Sequence, residues 1–158
     1  MVNDVDELLA FLQTGMRHPG SLTDLDTAHL LHSFTFSTLR DAALAALTGY
    51  PQDAAALAAS RPPATSWFTH GPLDQDTIAA ALPLLQHLAS QATGTPAATP
   101  LAAVLAYLDW ALGHPVRATQ RLATADHRDP LVRLLRRALA AGVPAPRVTS
   151  QPSAKGSR

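Results

Sequence analysis

The strongest constraint on this chain is its supply of helix-forming residues: 31 alanines and 25 leucines among 158 residues. Alanine is the best helix former and leucine is close behind it. Alternating β-branched runs are absent, so no strand can be placed. An all-α fold is expected: a small helical bundle or array in which alanine faces let helices approach closely. The length suits one domain with one core, here 1–142, followed by a tail. With no cysteine in the sequence, disulfide stapling is excluded. No apolar run approaches the span of a membrane helix. Acids (Asp4, Asp6, Glu7) stand where a signal peptide needs a basic region. A cytoplasmic protein is the expectation, with no membrane partner.

Capping and punctuation divide the chain into seven expected helices. The first covers 3–14, with Asn3 or Asp4 at its start and Leu8, Leu9, Phe11 and Leu12 on its apolar face. Gly15–Ser21 reads as a loop. The second covers 24–48, capped by Ser21 or Thr23, and the run Ser33–Thr38 is a place for it to break in two. Gly49 and Pro51 stop it. A short alanine helix spans 52–59, and the Pro62–Pro63 stretch, Arg61–Gly71, reads as a loop. The helix over 74–91 contains Pro83, where a kink or break is expected. Three closely spaced helices follow at 100–112, 116–125 and 130–141. Residues 143–158, rich in proline and serine, are expected to form a flexible tail.

The net charge is zero, from 12 basic and 12 acidic side chains, but it is unevenly spread. Residues 1–80 carry 3 basic and 9 acidic groups and residues 81–158 the reverse. The halves can attract each other within one chain or between two, so a homo-oligomer is one expectation. A basic half is also a candidate contact for nucleic acid, although the chain as a whole is not basic.

The last three helices space their small and large residues like a tetratricopeptide-type hairpin followed by one further helix. Leu105 beside Ala106, Gly113 at the turn, Ala118 at the crossing, and Leu122 and Ala125 on the inner face fit that pattern. Pro130 opens the next helix, and Leu139 with Ala140 recur 34 positions after Leu105 and Ala106. Ala102 and Asp109 depart from it, standing where such repeats carry aromatics. The same stretch resembles the C-terminal part of the actinobacterial domain-of-unknown-function family 4192. The resemblance rests on Leu105, Ala106, Trp110, Gly113, Ala118, Leu122, Pro130, Leu134, Leu135, Leu139, Gly142 and Pro144. The run Arg40–Leu44 also looks like a helix of that family, and the coverage is 37–146 with a poor stretch from Gly49 to Leu82. The resemblance implies helical architecture and an actinobacterial source, and brings no catalytic residues.

No catalytic constellation emerges. His29 and His32 share a helix at a spacing that suits two metal ligands, with Asp26 as a conceivable third, but the remaining ligands of a zinc site are missing. No metal or other cofactor is expected. Ser33, Thr35, Ser37 and Thr38 lie near His32 and Asp41, without the Gly-x-Ser-x-Gly elbow or the strand that a nucleophile of that kind needs. These hydroxyls are expected to satisfy helix carbonyls. Glycine-rich phosphate loops are absent.

Two groups stand out as partner-binding residues. Arg117, Arg121, Arg133, Arg136 and Arg137, with Arg128 between them, concentrate on the last two helices as a surface for phosphate or for an acidic segment. Trp67 and Phe68 form the only adjacent aromatic pair, either plugging a loop onto the core or anchoring a partner. The expected function is a non-enzymatic interaction or scaffold module that takes a protein or peptide partner. The alternative is a nucleic-acid-associated protein that uses the arginine-rich helices.

Overall fold

The structure is a computed structural model that describes residues 4–150. It is an all-α helical array. The helices are α1 (Asp4–Arg17), α2 (Asp24–Phe34), α3 (Ser37–Leu47), α4 (Ala54–Ala58) and α5 (Trp67–His70), then α6 (Gln75–Ala92), α7 (Ala98–Ala111), α8 (Pro115–Leu122) and α9 (Pro130–Ala140). Helix α7 is the central element. Nearly every residue from Pro100 to Trp110 is buried, as a helix apolar on all sides must be. It packs most extensively on α8 and α6, and it also touches α3 and α9.

Most boundaries follow local chemistry. The expected interruption of the second helix falls at Thr35 and Phe36. There Ser33 Oγ donates to the His29 carbonyl at 3.0 Å and Thr35 Oγ1 to the His32 carbonyl at 2.5 Å. Thr23 caps α2 through a reciprocal capping box with Asp26, which satisfies two otherwise free backbone N–H groups. Asp129 caps α9, accepting from the Leu131 and Val132 N–H groups, and Pro130 occupies the first helical position, where its missing N–H costs nothing.

The structure corrects several expectations. Helix α1 continues through Gly15 to Arg17, where a loop was expected. Gly15 is buried against Leu84 and Leu22, so close that a Cβ there would lie 2.7 Å from Leu84 Cδ1; the glycine lets α1 approach its neighbours. Asn3, one of the expected caps, lies outside the described residues. Pro83 does not break α6. The ring is exposed, and the face of Ile78, Ala81, Leu84, Leu85 and Leu88 on the other side is buried. The hydrogen bond lost to proline is therefore on the side that water can serve. Residues of Arg61–Gly71 are not all loop, because Trp67–His70 form α5.

Residues 143–150 are not a free tail. Val148–Thr149 form β2, which pairs in parallel with β1, Leu73–Asp74. The Leu73 N–H donates to the Arg147 carbonyl at 2.7 Å, and the Arg147 N–H to the His70 carbonyl at 3.3 Å. Pro146 is buried, and Ala145 and Val148 pack against the core. The pairing is too short for alternation to reveal it in the sequence. The rest of the expected tail, 151–158, lies outside the described residues. Among the described residues, no helix is long and apolar enough to cross a membrane.

Candidate functional site

Helix α3 carries Arg40, Asp41 and Leu44 within little more than one turn. Arg40 is 2% exposed, although it is the longest charged side chain available. Burying a guanidinium demands partners, and two carboxylates supply them. Arg40 Nη1 donates to Asp129 Oδ1 at 2.9 Å and Oδ2 at 2.7 Å, while Nε donates to Asp41 Oδ1 at 3.0 Å. The Asp129 carboxylate thus caps α9 and clamps it to α3. One guanidinium serves two carboxylates, so this cluster carries one net negative charge. Burial pushes the Asp41 carboxyl above its ordinary value; the Arg40 charge and hydrogen bond oppose the rise, and Asp129 adds to it.

Beside this cluster opens a cleft of about 350 Å³. Leu44 and Leu57 form one side of its apolar lining, Trp67 and Phe68 another, and Pro130, Leu131 and Leu134 at the start of α9 a third, with Pro63 from the intervening loop. Its volume falls at the lower end of ligand pockets, enough for two or three large side chains. The loop wall is held by Asp53, a buried carboxylate that accepts from the Ala64 N–H at 3.1 Å and from Thr65 Oγ1 at 3.3 Å.

The aromatic pair singled out in the sequence belongs to both core and cleft. Trp67 is 2% exposed and stacks on Tyr50 at 5.6 Å between ring centroids. Phe68 stacks on Tyr107 at 4.7 Å, and the Tyr107 hydroxyl donates to the Phe68 carbonyl at 2.7 Å. Burial pushes both the Tyr107 and the Tyr50 hydroxyl up, so they serve here as hydrogen-bond donors and not as acids. Tyr50 donates to the Pro72 carbonyl at 2.7 Å. Trp67 Nε1 is the one buried side-chain nitrogen or oxygen without a hydrogen-bond partner among the described residues.

The arginines do not form one patch. Arg121 Nε donates to Asp109 in a short ion pair, and Arg117 Nη1 lies 3.9 Å from the same carboxylate. Asp109 is thus a buried counter-ion that joins α7 to α8. Arg136 donates to the Leu122 carbonyl at 2.5 Å. Arg128 forks onto Asp126, and these hydrogen bonds hold the Asp126 carboxyl down at about 2. Arg133 and Arg137 are exposed, and neither takes part in an ion pair among the described residues. The two histidines also go separate ways. His29 Nε2 lies 3.3 Å from Glu7 Oε1 and its ring meets Phe11, while His32 packs edge-on against Phe36. No group of three or more metal-binding side chains occurs among the described residues.

Arg40, Leu44, Leu57, Leu131 and Leu134 are not among the site residues that the sequence suggests, and Asp41 enters there only beside His32 in an arrangement that lacks a nucleophile elbow. One signal was available: adjacent opposite charges set inside the alanine-rich run of α3. The chain matches no family model, no curated protein and no solved structure.

Proposed function

We propose that the protein is a non-enzymatic interaction module, built on hairpins of the tetratricopeptide-like kind, which docks an amphipathic helical segment in the cleft between α3 and α9. The observation that carries this reading is the cleft itself: apolar walls beside a charged cluster with one net negative charge. Its volume has room for two large side chains one turn apart, the spacing by which a helix fills a groove. Its charge favours a lysine or arginine next to them. The ionised groups of the cleft are bound to one another, which suits a structural floor better than acid–base chemistry.

The reading of the arginine helices as a nucleic-acid contact has less support, because Asp109, Asp126 and the Leu122 carbonyl occupy four of the six side chains. The cytoplasmic location, the actinobacterial source and the kinship with family 4192 go with this proposal and rest on sequence alone.

A displayed library of helical peptides, panned against the full chain, tests the proposal. Enriched peptides are expected to carry two large apolar residues at i and i+4 beside a basic residue, and to lose binding to Leu57→Glu protein. Peptides enriched without that pattern, or bound equally by the variant, would refute it.

A further inference from the structure

The cleft calls for a large apolar side chain on a helix with a cation beside it, and this chain carries such a helix. On α9, Leu134 is 41% exposed. Arg133 and Arg137 flank it, exposed and outside any ion pair among the described residues. Leu25, Val116, Phe36 and Val143 are more exposed, but none of them borders this cleft. Leu134 is also part of the cleft wall. Projecting side chain and receiving cleft therefore sit next to each other on one surface, the condition for a contact in which each copy offers the other the same patch.

We infer that the protein pairs as a two-fold dimer in which Leu134 of each copy enters the other's cleft and Arg133 or Arg137 meets the other's Asp41. The inference rests on the interaction-module reading and names the occupant. The charges agree with it: Asp41 and Asp129 share the single Arg40 guanidinium, while two arginines beside Leu134 have no such counter-ion. The raised Asp41 carboxyl points the same way, because an incoming cation relieves it. A two-fold axis beside Leu134 lets both exchanges occur together, covering two apolar side chains and two under-compensated carboxylates at once. The acidic first half then meets the basic second half between chains, at these residues.

Sedimentation equilibrium of the full chain from about 1 µM to about 1 mM reads the association directly. A dimer is expected, weakened by high salt because its ion pairs lie at a partly exposed rim. Leu134→Asp should raise the dissociation constant about a hundredfold, by placing a charge in the apolar contact. The pair R133E/R137E alters only exposed side chains and should raise it about tenfold. Circular dichroism checks that both variants keep their helix content. The chain has no cysteine, so Leu134→Cys gives a single thiol. It should oxidise to a covalent dimer, while Val116→Cys, away from the cleft, should not. A monomer throughout that range, or a dimer indifferent to Leu134→Asp, would overturn the inference. A monomer that still binds the library-selected helices would sink the dimer and leave the interaction-module reading standing. A monomer that binds none of them would sink both.

Discussion

Replacing Arg40 by methionine tests whether the buried ion cluster holds α9 in place. Methionine keeps most of the length and apolar stem while removing the charge and its donors. Asp129, whose side chain is 13% exposed, would lose the Arg40 Nη1 donor that both its oxygens share. Breaking a buried pair from one side costs about 3–5 kcal/mol, because the remaining charge stays behind. Two features soften the cost here. The Leu131 and Val132 N–H groups still bind the stranded carboxylate, and its place at a helix N-terminus offsets about 0.3–1 kcal/mol. Asp41, 44% exposed, can turn to water, so its share is about 1 kcal/mol or less. The sum is about 3 kcal/mol, a large part of a typical stability of about 5–15 kcal/mol. Urea unfolding followed by circular dichroism should show the midpoint falling by about 1–3 M. Adding Asp129→Asn to Arg40→Met should recover about 1–2 kcal/mol, because the amide oxygen still caps α9 and no charge is stranded. A midpoint shift below about 0.3 M, or a second substitution whose cost simply adds to the first, would refute the reasoning.

In the monomer, at protein concentrations well below the dimer's dissociation constant, Asp41→Asn should stabilise the fold at neutral pH. The folded carboxyl lies above its ordinary 3.8, so its ionised form is worse off folded than unfolded; the penalty is complete above the folded value and absent once both states are protonated. The gain seen in urea titrations should therefore vanish as pH falls below about 3.8, and a gain independent of pH would argue against this origin. Asp109→Ala removes the buried counter-ion of Arg121 and Arg117; with Arg121 partly exposed, a loss of about 2 kcal/mol is expected in the same assay, and a change below 0.5 would contradict the pairing. Gly71 has φ +68°, and a Cβ there would sit 2.3 Å from the Arg147 carbonyl oxygen. Gly71→Ala should open the β1–β2 contact, seen as faster amide exchange at Leu73 and Arg147, and unchanged protection there would refute the clash.

The helical architecture was readable because it follows from residues that act locally. Thr23 caps, Pro130 starts, and the β-branched and aromatic run around Thr35 interrupts. The site was less readable because its parts come from distant segments. Arg40 meets Asp129 across most of the chain, and neither residue announces the other. The arginine-rich helices looked like one patch because sequence shows that cations are near each other and not which carboxylates they face. In the sequence Asp109 stands out only as a departure from the spacing of such repeats; its burial as a counter-ion is a tertiary fact. Gly15 read as a breaker, although the lack of a side chain is what lets α1 lie against Leu84. The pairing of Val148 with Leu73 is too short to leave any periodic trace.

That pairing also decides how the molecule would answer to force. β2 follows α9, yet it is fastened to β1, which precedes α6. A pull on the C-terminal end is therefore borne first by a few backbone hydrogen bonds at His70, Leu73 and Arg147, and reaches α9 only after these yield. Helices α6 to α9 lie inside a closed loop of chain, and a protein joined after residue 158 would tug on that clasp before it tugged on the last helix.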